Sequence, residues 1–418
     1  MRANRTKRHT FCIWTAAMIV FAAGAVSPVL GQWPQWGGPN RDFTIDSAKL
    51  ADTWPESGPK TLWSRSLGDG YAAIIADAGR IYTGYRAGED EVFAALDADS
   101  GKTVWEHRYA APLPEKLVAY FGKGPNATPL LVGDNLITIG ITGKMFCLDI
   151  RDGSVRWKKG LWDELDGTRV QYGYSSSPLA WKDSVLVPVG GDGRGLVAFR
   201  IKDGSIKWSS GDFKNSFSSP VLIDLDGQTQ VVVAMGAQVV GYDPDNGSVL
   251  WSHHHQNQWD CNISQPVFGG DDILYVSSFG NCGARAIKLT RGGGKTSTKE
   301  LWLNPKHKIG LTTTQRIGDY IYGSVWDSRG FMSAINVKTG KVAWKSREIG
   351  KAQILRAGDK LLLLDEDGTL ALAKATPEKL EVLAKAGVLS EKAWTVPTLV
   401  GSRLYLRDRK TIKAIDLQ

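Results

Sequence analysis

An eleven-residue phrase recurs five times along the chain and constrains the fold more than any other feature. Each copy runs from a small residue to a tryptophan, with glycine at the seventh position. The copies are ALDADSGKTVW (95–105), CLDIRDGSVRW (147–157), AFRIKDGSIKW (198–208), GYDPDNGSVLW (241–251) and AINVKTGKVAW (334–344). A repeat at a nearly fixed period indicates that the chain is built from copies of one structural unit.

A second element precedes the phrase in each unit. Two short apolar runs are joined by a Gly/Asp turn, as in TPLLVGDNLITIG (128–140) and SPVLIDLDGQTQVVVAMG (219–236). This pattern is typical of a β-hairpin. The phrase itself predicts another hairpin, whose short turn requires a glycine with positive φ. Each unit therefore contains four predicted strands.

Seven tryptophans mark the ends of successive units at spacings of 42 to 52 residues, and each is predicted to pack between neighbouring units. They are Trp63, Trp105, Trp157, Trp208, Trp251, Trp302 and Trp344. An eighth, degenerate unit ends at Leu383. Four-stranded units of this length are typical of propeller blades. The sequence therefore predicts an all-β, eight-bladed β-propeller of four-stranded antiparallel blades.

The two ends of the chain complement each other. The last residues, AIDLQ (414–418), begin the phrase and stop, and KTLW (60–63) supplies its missing end. We therefore expect an N-terminal strand to complete the last blade and close the ring. The predicted organisation is a signal peptide (1–31), an N-terminal leader (32–59) and one propeller (60–418).

The first 31 residues have the pattern of a secretory signal, with a basic start, an apolar run and small residues before a cleavage site after Gly31. We expect a secreted or periplasmic protein. Cys12 stands too early to carry a lipid at such a site. An uncleaved anchor is the alternative, and membrane contact is expected only through this segment.

The charge pattern excludes a nucleic-acid partner. The signal region supplies four of the basic residues behind the formal net charge of +8, and no clustered basic face follows it.

Cys261 and Cys282 fall in links on one side of the predicted disc, which predicts a disulfide between them, while Cys147 is expected to be a buried free thiol. His253 and His255 are weak candidates for metal ligands.

The repeated phrase, together with the segment QWPQWGGPNRD (32–42), resembles the PQQ-like (pyrroloquinoline quinone repeat) eight-bladed propeller family. This family includes quinoprotein dehydrogenases and non-enzymatic scaffolds of the BamB type. Resemblance to the dehydrogenases would imply a vicinal disulfide, a Trp floor, bound Ca²⁺ and an Asp base. The sequence has no adjacent cysteines, and no Asp matches that base by motif. We therefore expect no catalytic residues and no cofactor, with PQQ and Ca²⁺ binding as the alternative.

The links from each phrase to the next hairpin cross one face of the predicted disc and carry unusual numbers of aromatic and amide side chains. The predicted binding face comprises Tyr71, Tyr120, Asn126, Tyr172, Tyr174, Phe217, Trp259, Asn262 and Trp394. Such side chains suit a peptide segment, a sugar or a flat cofactor. The alternative is that they plug the channel and pack the loops. We expect a scaffold that binds a protein, envelope or glycan partner on this face.

Overall fold

The computed structural model describes Met1, residues 32–46 and residues 50–418, so residues 2–31 of the predicted signal peptide lie outside the described ranges. The predicted fold is confirmed. Eight antiparallel blades of four strands each are arranged as a β-propeller, and one blade carries a fifth, parallel strand. No helix in the described ranges is long and apolar enough to cross a membrane.

Two strands precede the first uninterrupted blade, and each of the next blades runs from an inner strand to an outer strand. The preceding strands are β1 (Thr44–Ile45) and β2 (Lys60–Ser66). Blade 1 contains β3 (Ile75–Asp77), β4 (Arg80–Ala87), β5 (Asp90–Asp97) and β6 (Thr103–Ala110). Blade 2 contains β7 (Leu130–Val132), β8 (Asn135–Ile139), β9 (Lys144–Asp149) and β10 (Val155–Gly160). Blade 3 contains β11 (Leu179–Trp181), β12 (Ser184–Pro188), β13 (Leu196–Arg200) and β14 (Ile206–Ser210).

The middle blades repeat this order. Blade 4 contains β15 (Val221–Leu225), β16 (Gln228–Ala234), β17 (Gln238–Tyr242) and β18 (Val249–His254). Blade 5 contains β19 (Val267–Phe268), β20 (Ile273–Ser278), β21 (Gly283–Gly292) and β22 (Lys295–Asn304). Blade 6 contains β23 (Thr314–Ile317), β24 (Tyr320–Val325), β25 (Phe331–Asn336) and β26 (Val342–Ser346).

The last two blades include the strands from the start of the chain. Blade 7 contains β27 (Ala352–Ala357), β28 (Lys360–Asp365), β29 (Thr369–Ala375) and β30 (Leu380–Gly387), with β1 added in parallel beside β27. Blade 8 contains β31 (Thr398–Val400), β32 (Arg403–Arg407) and β33 (Thr411–Asp416). Its outer strand is β2, paired antiparallel to β33 from Lys60–Asp416 to Ser66–Thr411. The predicted closure of the ring is confirmed.

Six of the seven predicted docking tryptophans donate their indole N–H to a carbonyl of the next blade. The pairs are Trp63–Ala98 (3.0 Å), Trp105–Ile150 (3.0 Å), Trp157–Ile201 (2.7 Å), Trp208–Pro244 (3.3 Å), Trp302–Val337 (2.8 Å) and Trp344–Thr376 (2.8 Å). The phrase glycine has a second purpose beyond its turn. At Gly101, for example, φ is +68° and an added Cβ would lie 2.6 Å from the Trp63 ring.

Trp251 is the exception among these tryptophans. Its indole donates to the side chain of Gln230 in its own blade, at 2.7 Å. The hairpin that it would meet in blade 5 is much longer, because β21 and β22 have ten residues each and turn at Gly293–Gly294. No turn glycine is therefore presented to Trp251, and the indole N–H is satisfied within blade 4.

Residues 33–45 enter the centre of the ring, and we call this segment the axial plug. Its contacts begin at blade 1, where Trp33 exchanges two backbone hydrogen bonds with Ala76 of β3, and at blade 2, where the Leu131 N–H donates to the Pro34 carbonyl. They end with the parallel pairing of β1 and β27. The segment closes the inner channel with backbone hydrogen bonds, because each extended portion meets a free inner strand edge.

Side chains complete the contacts of the axial plug. The Arg41 guanidinium donates to the carbonyls of Ser177 (2.8 Å), Pro178 (3.0 Å) and Pro220 (2.6 Å), at the starts of blades 3 and 4. Gln265 of blade 5 donates to the Arg41 carbonyl (2.8 Å), and Gln315 of blade 6 donates to the carbonyls of residues 42 and 43.

Blade 8 completes the set of contacts, because Phe43 packs in a buried cluster that includes Val396, just before β31. Every blade therefore contacts the axial plug.

Candidate functional site

One face of the disc collects the long loops. Because strands alternate in direction within each blade, the links between blades and the links between second and third strands emerge on the same face. We call it the mouth face. The short first-to-second and third-to-fourth turns lie on the opposite face. Any recognition site built from the unusual residues of the links must therefore face one way.

Six aromatic side chains form a continuous group on the mouth face, which we call the aromatic belt. Its members are Tyr71, Phe121, Tyr172, Phe217, Trp326 and Trp394. Neighbouring ring centroids lie 5.3 to 6.1 Å apart from Trp326 through Trp394, Phe121 and Tyr172 to Phe217. Tyr71 stacks on Trp394 at 5.3 Å with 29° between the ring planes. These separations are typical of favourable aromatic pairs.

A cavity of about 850 Å³ lies beside the axial plug, and the aromatic belt lines part of it. Other walls are formed by the inner strands β15, β19 and β23 and by the plug residues Arg41–Thr44. The volume is within the range of small-molecule and peptide side-chain pockets. The belt, the cavity and the plug therefore form one continuous site along the axis.

Polar groups around the belt are largely occupied by one another. Lys351 Nζ lies 2.9 Å from a Glu366 oxygen and 4.8 Å from the Trp326 ring centroid. The Trp394 indole donates to the other Glu366 oxygen at 3.1 Å. Asn126 donates to the Tyr172 carbonyl and to the Ser175 hydroxyl. The residues of the belt thus present apolar ring surface with few free hydrogen-bonding groups.

Burial raises the pKa of the Tyr71 and Tyr172 hydroxyls, so both phenols stay protonated at neutral pH. The Tyr71 hydroxyl donates to the Phe121 carbonyl at 2.9 Å. A neutral phenol is a suitable donor to a peptide carbonyl.

Most of the predicted binding residues lie at the mouth face. Tyr71, Asn126, Tyr172, Phe217 and Trp394 line the cavity. Two others stand outside the cavity at its rim. Tyr120 is 83% exposed with its ring 5.0 Å from that of Phe121, and Trp259 is 50% exposed and stacks on Phe279.

Two predicted binding residues are wrong for this role because they point inward. Tyr174 is fully buried, and its hydroxyl donates to the Pro188 carbonyl at 2.9 Å. Asn262 is 1% exposed, and its amide donates to the carbonyls of Met235 and His255. Both side chains hold the links against blade walls, which leaves them unable to reach a ligand.

Three belt or plug residues were missed in the sequence. Phe121 stands beside the predicted Tyr120, and Trp326 lies in a second-to-third strand link, which emerges on the same face as the links between blades. The alternation of strands was sufficient to include Trp326. Arg41 had no comparable signal, because its partners are backbone carbonyls far away in the sequence.

The predicted disulfide between Cys261 and Cys282 is absent, and both residues are buried free thiols. Cys282 Sγ instead faces the His255 ring, 3.4 Å from Nδ1. Cys261 is held by Asn257, which accepts from its N–H and donates to its carbonyl. The two links share a face as expected, but their side chains are directed to different partners. Cys147 is also a buried free thiol.

The weak metal candidates are engaged in other contacts. His253 Nδ1 lies 3.2 Å from the Thr298 hydroxyl, and His255 Nε2 lies 3.0 Å from the Ser278 hydroxyl. Burial lowers the pKa of His255 to about 3 and raises the pKa of the Cys282 thiol. Within the described residues, no group of three His, Cys, Asp or Glu side chains is arranged to hold a metal ion.

The donor set does not fit a calcium–quinone pair. Ca²⁺ takes six to eight oxygen ligands, mostly from carboxylates and carbonyls. The carboxylates that line the cavity are Asp42 and Asp46 near the plug and Asp224 on β15, whereas the carboxylate beside the belt, Glu366, already accepts from the Trp394 indole. The cation nearest the belt, Lys351, is paired with Glu366. A planar ring could stack on the belt, but its acidic groups and metal would lack ligands there.

Comparison with known proteins agrees with the fold. The chain is 24% identical over 349 residues to the outer membrane protein assembly factor BamB of Yersinia pestis, covering 80% of this chain and 75% of that protein. It is 25% identical over 371 residues to the BamB of Escherichia coli K12, covering 75% and 88%.

Among solved structures, a quinohemoprotein alcohol dehydrogenase from Pseudomonas putida matches with a TM-score of 0.60 at 12% identity, covering 93% of this chain and 80% of that one. That similarity shows the fold alone. The family model described as outer membrane protein assembly factor BamB matches residues 88–346, which is more than half of the chain. The chain belongs to this family.

Proposed function

We propose that the protein is a non-catalytic scaffold, secreted or periplasmic, that docks a protein partner on its mouth face. The observation that carries this proposal is the aromatic belt, a continuous apolar surface on one face of a disc whose axis is otherwise plugged. Aromatic side chains that are partly exposed and clustered are typical of protein-binding hot spots.

The family supports a scaffold role. The relatives from Yersinia pestis and Escherichia coli are named as outer membrane protein assembly factors, which is a role in assembling other proteins. We extend an assembly role of this general kind to the present chain. The disc offers a broad, rigid platform, because the ring is closed by β2 and fixed at its centre by the axial plug.

A protein segment suits the mouth better than a glycan. Sugar hydroxyls require directional hydrogen-bond partners in addition to stacking surface. The Tyr71 hydroxyl, the Asn126 amide and the Glu366 carboxylate already have partners within the chain. An apolar or aromatic side chain needs burial alone, which the ring faces supply. We therefore place a protein partner ahead of a glycan.

The alternative of a reduced PQQ-dependent dehydrogenase receives less support. The similarity to the Pseudomonas putida enzyme concerns the fold, and the carboxylate beside the aromatic belt, Glu366, is already paired with Lys351 and with the Trp394 indole. The cavity and the stacked pair of Tyr71 and Trp394 are the observations in its favour.

Position-specific photo-crosslinking in the producing cells tests the docking face. A benzoylphenylalanine replaces Trp259, which is 50% exposed at the rim of the mouth face, or, as the matched control, Val104 near the third-to-fourth turn of blade 1, where the side chain is 44% exposed. We expect discrete crosslinked protein species from position 259 and none from position 104. Equal crosslinking at both positions, crosslinking at 104 alone, or no crosslinked protein at either would contradict the proposal.

A further inference from the structure

The aromatic belt contains one residue that differs from the rest, because Phe121 comes from a long loop and lies among rings of several blades. Its ring centroid is 5.3 Å from Tyr172, in the link between blades 2 and 3, and 5.6 Å from Trp394, in the link between blades 7 and 8. Its carbonyl accepts the Tyr71 hydroxyl at 2.9 Å. The mouth thus holds both the side chain and the backbone of a single phenylalanine.

The loop that carries Phe121 is weakly attached. From residue 112 to residue 123 no side chain is buried, and no strand forms. Four hydrogen bonds tie its backbone to the rest of the chain. The Val118 N–H donates to the Gln171 carbonyl (2.8 Å) and the Lys123 N–H to the Asp69 carboxylate (3.1 Å), while Arg86 and Tyr71 donate to the carbonyls of residues 123 and 121. Segments with few buried apolar contacts open at low free-energy cost.

We propose that residues 112–123 are a built-in competitor that occupies the docking site of the partner, and that the partner is an extended, uncharged segment carrying a phenylalanine-like side chain. The inference rests on the proposed docking function of the mouth face. The incoming ring would take the place of Phe121 between Tyr172 and Trp394, and its carbonyl would accept the Tyr71 hydroxyl. The displaced loop would move into solvent.

The charges around the belt explain why the partner segment is uncharged. Lys351 is paired with Glu366 at 2.9 Å, and Lys392 lies 3.5 Å from the same carboxylate. Each charge at this edge already has a counter-charge, so a charged side chain buried against the rings would gain no partner. A neutral aromatic ring gains contact area without that cost.

The competitor has a quantitative consequence. Because the loop is tethered to the site, it competes at an effective concentration in the millimolar range. A free peptide competes only at its concentration in solution. The apparent affinity of the wild-type chain for a free segment is reduced by the fraction of molecules in which the site is open. Removal of the Phe121 ring should therefore raise that affinity at least tenfold.

Fluorescence anisotropy with a labelled synthetic peptide tests the inference on the full chain. The probe is the uncharged part of the loop sequence, LVAYFG (117–122), with both ends blocked, and a second peptide carries Ala at the Phe position. The proteins are the wild type, Phe121→Ala and the matched control Leu117→Ala, which removes an apolar side chain from the same loop outside the belt. We expect Phe121→Ala to bind the probe at least tenfold more tightly than the other two, and not to bind the Ala peptide.

Equal affinity of wild type and Phe121→Ala for the probe, or no binding by either, would overturn the inference. Thermal unfolding checks that Phe121→Ala is folded, which we expect because Phe121 is 40% exposed. This failure is distinguishable from failure of the docking proposal. If position 259 crosslinks a partner while the peptide test fails, the mouth face docks proteins without the loop as competitor, and only the present inference falls.

Discussion

The axial plug and the aromatic belt lie beside the same cavity, yet they are built from opposite kinds of contact. Arg41 in the plug is 5% exposed and donates to three backbone carbonyls. Phe121 in the belt is 40% exposed and contacts other rings. Polar groups whose hydrogen bonds are all satisfied hold one geometry, because hydrogen bonds are directional. Aromatic ring faces can instead stack on one ring or on another that replaces it. The chain closes itself with the first kind and leaves the second kind available to a partner.

This contrast leads to a general expectation. Substitutions in the axial plug should lower the free energy of unfolding, because they leave buried acceptors without donors. Substitutions in the aromatic belt should change binding more than stability. The predictions below test this separation, beginning with the largest expected effect.

Replacement Arg41→Leu should lower the free energy of unfolding by about 3 kcal/mol, because the carbonyls of Ser177, Pro178 and Pro220 would lose their donor inside the ring. Urea unfolding measures this change. The control is Arg169→Leu, which removes an exposed ion pair with Asp163 on the mouth face and should leave the midpoint unchanged. Equal urea midpoints for Arg41→Leu and wild type would show that the hydrogen bonds of the axial plug do not stabilise the fold.

Acid should lower the free energy of unfolding through His307, in the link between blades 5 and 6. Burial lowers the pKa of His307 to about 4, and its ring lies 2.9 Å from the Ser333 hydroxyl. Between pH 6.5 and 4 the unfolded chain binds a proton at this histidine that the folded chain does not. The contribution of His307 to the free energy of unfolding is therefore fully present above pH 6.5 and is lost as the pH falls toward 4. The expected loss from this residue between pH 7 and 5 is about 2 kcal/mol.

Urea unfolding of wild type and His307→Gln at pH 7 and pH 5 measures this contribution. The glutamine amide can keep a hydrogen bond to Ser333 but does not titrate. The difference between the two pH values should therefore be smaller in the variant. If the free energy of unfolding depended on pH identically in both proteins, His307 would not be a source of the acid sensitivity.

Replacement Trp394→Leu tests the belt. Trp394 is only partly buried, so we expect a loss of about 1 kcal/mol in unfolding free energy. Introduced together with Phe121→Ala, it should weaken binding of the LVAYFG peptide at least tenfold, because Trp394 stacks on Tyr71 and would also contact the incoming ring. A large stability loss with unchanged peptide affinity would reverse the assignment of binding and structural regions.

The smallest effect is expected from PQQ with Ca²⁺. Titration at micromolar PQQ should give no saturable quenching of tryptophan fluorescence, because the belt offers stacking surface without carboxylate ligands or an unpaired cation. Saturable quenching that requires Ca²⁺ would favour the dehydrogenase alternative and would show that the belt is a cofactor site.

The architecture was predictable because its signals are local and repeated. The phrase ending in Trp105 or Trp157 specifies a hairpin and a packing contact within about 50 residues, and AIDLQ with KTLW specifies the closure. Alternating strand direction also predicts that Tyr71 and Trp394 lie on the same face of the disc. Each of these inferences needs only residue types and period.

Side-chain direction and the plug were beyond such signals. Tyr174 and Tyr172 belong to the same link and differ only in which way the backbone turns, so composition could not separate a buried residue from a binding one. Cys261 and Cys282 share a face, but a disulfide depends on the directions of their Cβ atoms. Arg41 binds backbone carbonyls more than 130 residues away. Because every residue has a backbone carbonyl, residue types do not indicate which ones an arginine will bind.

Contact of the axial plug with all eight blades has a consequence for the order of folding. Individual hairpins can form as soon as they are synthesised, but the plug residue Phe43 packs near Val396 and its carbonyl binds Gln315, 272 residues away. Non-local contacts of this kind close large loops and form late. The first residues of the propeller to be made must therefore wait for the last, and a chain cut short within blade 7 would have neither a closed ring nor a secured centre.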